Sequence, residues 1–280
     1  MPRVKILTDS TADLPPGVAE ELGITVLPLT IQLGNKKLRD GIDVTPADFV
    51  ERMARVSAPP ITLPPTAKHF EEAYAELTKG GNSVVAIHVS SKLSQTWRTA
   101  SRAAAPLLGR YKIVVIDSQL VTVGLGMLVT AAGRAAANDA ALDEVVRLVR
   151  GMIPRIYIGF FVETLDYLER GGRIGKAQSL IGSILRVNPI IGMRDGEVCP
   201  FGRERSRAKA IDHLCNFAMS FSRIEGLAVE YAVCRDEAEK VVERLGSKFP
   251  KERIYRSRAS PVIGTHTGPG LLVVTVLGDK

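Results

Sequence analysis

The feature that most constrains this chain is an alternation running through its first half: short β-rich apolar runs, each followed by a stretch with helical periodicity. VKILT at residues 4–8 reads as a strand. ADLPPGVAEELG then supplies a polar start, prolines in the first turn and a glycine stop, which together mark a helix. ITVLPLTIQL (24–33) is strand-like, with Pro28 marking an edge or a break. Phe70, Ala73, Tyr74 and Leu77 recur at helical spacing, so an amphipathic helix is expected over 67–79. SVVAIHVS (83–90) and KIVVIDS (112–118) are again β-rich, and each leads into a helical pattern. Parallel strands need a crossover between them, and a helix is the usual one. The alternation therefore predicts an α/β fold with a mostly parallel sheet.

The pattern changes near Pro154. RIYIGFFVE (155–163) reads as a strand, followed by a short helix in TLDYLERGG with glycine at its C-terminal end. Asp195-Gly196, set between apolar runs in NPIIGMRDGEVCPFG, is a hairpin signal. Helices over 207–221 and 236–249, the strand GLAVEYAVC, and strands around Ile254 and over 271–277 make this half α+β. The expected organisation is two tightly apposed domains, 1–153 and 154–280, without internal repeats or a low-complexity linker.

Several function classes are set aside on composition. No apolar run is long enough for a membrane-spanning helix, and MPRVKILTDS lacks the apolar centre and cleavage site of a signal peptide. A cytoplasmic protein is expected. The net charge of +7 is modest for 280 residues, and aromatic residues at 5% offer few platforms for stacking bases, so no nucleic-acid partner is expected. Cys199, Cys215 and Cys234 are odd in number and lack paired spacing, which argues for reduced thiols and against a metal site.

Apparent nucleotide motifs fail on inspection. GGRIGKA (171–177) has Arg170 where a phosphate-binding loop needs its first glycine, Ala177 where it needs Ser or Thr, and a helix where it needs a preceding strand. Gly124-Leu-Gly126 begins a dinucleotide-like pattern, but Val129 stands at the third glycine position, so close helix packing is the reading. No G-x-S-x-G elbow occurs. Of the four histidines, His69 and His213 sit in helical patterns as surface or boundary residues, and His88 sits in a strand as a core residue. No cofactor or nucleotide site of its own is expected.

What survives is a set of hydroxyl-rich turns after predicted strands: TDSTADLP, SSKLSQTWRTA and DSQLVTVGLG. In open α/β sheets, ligands sit beyond the carboxyl ends of the strands, where helix N-termini suit an anionic group. Ser10 and Thr11 read as helix caps. Ser94 lies beyond the Ser90-Ser91 pair, where a cap is already supplied, and is read as free for a ligand.

These turns, together with VETLDYLERGGRIGKAQSLIG, RVNPII, RERSRAKAI and SPVIGTHTGPG, occur in an order and spacing that resemble the DegV family of fatty-acid-binding proteins over essentially the full length. The resemblance implies two domains holding one long-chain fatty acid in an apolar tunnel between them. It implies that the protein is the lipid-binding subunit of a bacterial fatty acid kinase, with a separate ATP-binding partner phosphorylating the presented carboxyl to an acyl-phosphate. By the same resemblance Thr62, Ser94 and His266 hold the carboxylate, and Arg173 stands at the polar end of the site or in partner docking. Two departures stand out. The TSQP-like segment reads Thr62-Leu63-Pro64-Pro65, and Gln95 replaces the glycine of LSGT, placing a bulky side chain beside the head group.

The chemistry is coherent without the resemblance. A buried carboxylate loses several kcal/mol of hydration unless donors replace the water, and two hydroxyls with one imidazole supply them. An apolar tunnel then contributes roughly 0.8 kcal/mol per methylene. The glycines and proline of SPVIGTHTGPG are expected to form a turn that aims His266 at the ligand. RERSRAK (203–209) reads as a solvated basic face, which with Arg173 could meet an acidic partner or, transiently, an anionic membrane surface. The expectation is a carrier without catalytic residues. The alternative is a hydrolase of acyl esters, with Ser94 as nucleophile and His266 as base.

Overall fold

The computed structural model describes residues 3–53, 59–181 and 188–280. β1 (Val4–Asp9), α1 (Val18–Glu21) and β2 (Ile24–Leu27) open the chain, with β1 and β2 parallel. At Pro28 the chain leaves this sheet. β3 (Thr30–Leu33), β4 (Lys36–Arg39) and, after α2 (Pro46–Met53), β5 (Ile61–Leu63) form a separate antiparallel sheet. The apolar run 24–33 is thus two strands in two sheets, because proline has no N–H for the ladder.

α3 (Ala67–Leu77), β6 (Ser83–His88), α4 (Thr96–Ala104), β7 (Ile113–Asp117), α5 (Thr122–Ala137) and α6 (Leu142–Met152) follow. The first sheet has the order β2-β1-β6-β7 and every pair is parallel, as the alternation predicts. From β1 the chain goes first to one side and then to the other. The carboxyl ends of β1 and β6 therefore flank a switch point, the usual place for a ligand in an open α/β sheet.

β8 (Ile156–Phe161), α7 (Asp166–Arg170), β9 (Asn188–Arg194), β10 (Glu197–Glu204), α8 (Arg207–Met219), β11 (Arg223–Tyr231), α9 (Arg235–Leu245), β12 (Tyr255–Arg258), α10 (Pro261–Thr267) and β13 (Leu272–Asp279) complete the fold. The six-stranded sheet runs β10-β9-β8-β13-β11-β12, antiparallel except for β11 with β12. The β9–β10 hairpin turns at Asp195 (φ 53°) and Gly196 (φ 77°), the two left-handed positions that an Asp-Gly pair serves. β8 shows how the sheet divides the interior. Ile156, Ile158 and Phe160 face the core shared with the first sheet, while Tyr157 and Phe161 face α8, as a period of two requires.

α5 is sandwiched between the two large sheets, and most of its residues are buried. A helix covered on all sides must be apolar all round and narrow. A Cβ on Gly126 would stand 2.3 Å from the Ala12 carbonyl oxygen, and one on Gly124 would stand 2.5 Å from Ile158 Cδ1. The two glycines serve close packing, as read from the sequence. His88 is fully buried, with Nδ1 3.0 Å from Asp9 Oδ2. His69 is exposed at the start of α3, where Thr66 and His69 cap one another. His213 is half-buried beside Glu204. All three cysteines are free thiols.

Two local expectations are corrected. SPVIGTHTGPG is not a turn: Ser260 caps α10, Pro261 occupies its first turn, and Gly268, at φ 75°, lies just past its end. Ser10 and Thr11 do not cap either. The Asp9 carboxylate accepts the Thr11 N–H, while the Ser10 hydroxyl donates to Asp40 Oδ2 at 2.6 Å and accepts from Leu29 N. Asp9 takes the capping role because a carboxylate accepts more strongly than a hydroxyl. Among the described residues no helix is long and apolar enough to cross a membrane.

Candidate functional site

At the switch point lies a cavity walled by β5, by β8, β9, β10 and β13 of the six-stranded sheet, by α10, and by residues just beyond the carboxyl ends of β1 and β6. Leu29, Val89, Val121, Ile158, Phe160 and Val273 give it an apolar surface. Thr62, Ser94, Arg173 and His266 all stand on its wall, although they are far apart in the chain. Gly182, Arg186 and Val187 of the QSLIG and RVNPII segments lie outside the described residues.

Thr62 sits in the middle of β5, opposite Ile31, and its Oγ1 lies 2.8 Å from Nε2 of His266. α10 carries the ring to that point by packing against α7, α2, β3 and β5. The other ring nitrogen, Nδ1, is buried without a hydrogen-bond partner. It faces Gly171, where a Cβ would stand only 2.3 Å from it. Burial, together with the nearby Arg173 charge, lowers the imidazole to about 4, so the ring is neutral at pH 7.

Arg173 follows α7. Its Nε donates to the Leu93 carbonyl at 3.0 Å and its Nη1 to the Gly171 carbonyl. Half-burial lowers its pKa, and among the described residues no carboxylate pairs with it. A guanidinium held by neutral carbonyls keeps its full charge available to an incoming anion. One side chain therefore grips both loops that border the head of the cavity.

Ser94 needs a correction. Its Oγ accepts the Thr96 N–H at 3.2 Å and lies 2.8 Å from Thr96 Oγ1, so it is engaged at the start of α4, one residue before the cap position at Gln95, while lining the cavity. Ser90, read as part of the cap already supplied, instead donates to the Gly196 carbonyl at 2.6 Å and braces the β9–β10 hairpin. Gln95 is exposed and is not on the cavity wall, so the bulky side chain expected beside the head group points elsewhere. Leu63 and Pro64 are half-buried and Pro65 is buried, and none of them lines the cavity. In RERSRAK, Arg203, Arg205 and Lys209 are exposed, but Arg207 is not a solvated residue. It bonds Glu237 and Glu163 and lies 4.8 Å over the Phe161 ring.

The nucleophile–base arrangement is not assembled. His266 pairs with Thr62 and Ser94 pairs with Thr96. No acid orients the ring, since Nδ1 has no partner.

Three groups escaped the sequence reading. Asp13 accepts the Ser260 N–H at the start of α10, and the buried Asp40 is raised to about 7, chiefly by desolvation. Glu230, fully buried on β11, caps α5 by accepting the Val123 N–H at 2.7 Å. Isolated acidic residues in strands and turns carry no spacing signal, so only their burial reveals them.

Known proteins share this sequence pattern and fold. The family model described as "Uncharacterised protein, DegV family" matches residues 3–279. A DegV domain-containing protein of Caldanaerobacter subterraneus subsp. tengcongensis is 36% identical over 273 residues, 96% of each chain. A DegV family protein from Thermus thermophilus, described as binding fatty acid, superposes with a TM-score of 0.91 at 30% identity over 99% of both chains. DegV of Bacillus subtilis, described as a fatty acid binding protein, superposes at 0.88 with 29% identity over 99% of this chain and 100% of that one. The chain belongs to the DegV family.

Proposed function

We propose that this protein binds a long-chain fatty acid in the cavity and presents its carboxyl to a separate ATP-dependent kinase subunit, which converts it to an acyl-phosphate. The observation that carries the binding reading is an apolar cavity whose polar wall groups include Thr62, Ser94, Arg173 and His266. Fatty acid binding by the Thermus and Bacillus relatives supports it. The kinase partnership rests on the family resemblance and on the absence from the sequence of a phosphate-binding loop.

The neutral His266 does not supply charge. In this reading Nε2–H donates to Thr62 Oγ1, and the Thr62 hydroxyl proton is then directed to the carboxylate. The unprotonated Nδ1 faces Gly171, an arrangement favoured by the positive Arg173 nearby. Ser94 offers its hydroxyl and Arg173 the opposite charge. Each methylene in the cavity adds roughly 0.8 kcal/mol, so affinity resides in the tail and orientation in the head.

The test is organic extraction of the purified protein with mass spectrometry of the extract, followed by incubation with ATP and a fatty acid kinase catalytic subunit. A bound fatty acid and its conversion to acyl-phosphate are expected. An empty protein that takes up no fatty acid on titration would overturn the binding reading; a loaded protein that is never phosphorylated would overturn the presentation step.

A further inference from the structure

The cavity wall carries a further polar group to which no role has been assigned above. Thr122 lines the cavity, is 6% exposed, and its Oγ1 is buried without a hydrogen-bond partner. Its backbone lies at φ 57°. That conformation is an outlier for a β-branched residue and holds it under strain. Asn or Gly would adopt it with less strain.

A threonine at a helix start normally serves as a cap. Thr122 does not. The residue at the cap position is Val121, which makes no side-chain bond, and the neighbouring Val123 N–H is instead taken by Glu230 Oε2 reaching across from β11. The segment leading in is fixed independently: the Ser118 hydroxyl accepts from Leu120 N at 3.0 Å, and Ser90 N donates to the Leu120 carbonyl at 2.9 Å. The helix start is thus complete without the Thr122 hydroxyl, which is left buried at the wall of an apolar chamber. The other threonines there, apart from Thr62 at the head, are already engaged, Thr11 with Asp9 Oδ1 and Thr267 with the Ile263 carbonyl.

A buried hydroxyl without a partner is costly, and a partner arriving with the ligand removes that cost. We propose that Thr122 is a specificity residue for the acyl chain, selecting a fatty acid that carries an oxygen function within the chain, a hydroxy or oxo acid, over the unsubstituted acid. This deepens the fatty acid reading and rests on it. The oxygen sits where the chain passes Thr122 and exchanges a hydrogen bond with Oγ1, while the carboxylate stays with Thr62, Ser94 and Arg173.

Displacement of a fluorescent fatty acid from the delipidated full-length protein tests this, using octadecanoic acid and its monohydroxy positional isomers as competitors. One isomer, or a narrow range of adjacent isomers, is expected to compete about fivefold better than octadecanoic acid, the worth of one net hydrogen bond. The advantage is expected to disappear in Thr122→Val and to persist in Thr122→Ser. Equal competition by all isomers and octadecanoic acid overturns the proposal while leaving fatty acid binding intact, as does an advantage that survives in Thr122→Val. Should that variant fail to fold, the wild-type isomer profile decides alone. Failure of octadecanoic acid and every isomer to compete overturns the fatty acid reading itself.

Discussion

Gly171 and His266 occupy one another's space: a Cβ on the glycine would stand 2.3 Å from Nδ1 and 3.0 Å from Cε1 of the ring. The ring cannot retreat freely, because its other nitrogen is held by Thr62 at 2.8 Å and its helix is packed against α2 and α7. Gly171→Ala should therefore push the imidazole off Thr62. The variant is expected to fold, with fatty acid retention reduced at least about tenfold, since the site loses an oriented donor. Lipid occupancy by mass spectrometry, compared at equal yield of folded protein, checks it; full occupancy would show that the ring does not orient the head group.

Thr62 and His266 are expected to behave as one unit. Thr62→Val should weaken fatty acid affinity by about 1–2 kcal/mol, because the ring nitrogen loses its partner in a buried site. His266→Gln should do the same. The double variant should lose little more than either single one, since residues in one hydrogen-bonded network are not additive. Displacement titrations of the three variants read the coupling, and simple additivity would mean that the two side chains contact the ligand separately.

Stability should fall as pH rises towards neutrality, through the buried carboxyls that hold α10 and α5. Asp40 is raised from 3.8 to about 7, first by desolvation, and Glu230 from 4.5 to about 7, also by desolvation, sharing its burial with Asp13. A carboxyl raised in the folded state contributes fully below its unfolded pKa. That contribution is lost as pH climbs to the folded pKa, at about 1.4 kcal/mol for each tenfold difference in proton affinity between the two states. His266, lowered from 6.5 to about 4, runs the other way, losing stability as pH falls through that range. Urea denaturation of Asp40→Asn against wild type separates the two. The variant should gain on the wild type between about pH 4 and pH 7; a constant difference would mean that Asp40 is ionised throughout.

Gly126→Ala should destabilise the fold without touching head-group chemistry. The added methyl meets the Ala12 carbonyl at 2.3 Å, and backbone on both sides prevents relief. A loss of about 1–3 kcal/mol is expected from overpacking, read as a lower denaturation midpoint. Wild-type stability would show that α5 can shift away from the first sheet.

Much of this architecture is legible in the residues. Strand–helix alternation identifies the parallel sheet, Asp195-Gly196 marks the β9–β10 hairpin, and Gly124-Leu-Gly126 is readable as packing because each is a local pattern with a local physical cause. Helix α10 is not legible, because SPVIGTHTGPG is rich in the residues that usually break helices, and here they serve as its cap and stop. The role of Ser90 is hidden for a different reason: its partner, Gly196, lies 106 residues away.

The sequence by itself determined the alternating elements, the family, and which side chains have the chemistry to hold an anion. Tertiary structure alone decided how they meet. Thr62 and His266 are 204 residues apart, and their contact depends on β5 and α10 packing together. It also decided their protonation, because desolvation is a property of surroundings rather than of residue type. The same histidine on an exposed loop would keep its ordinary pKa. Set beside Gly171 and Arg173, it is a neutral ring locked to Thr62.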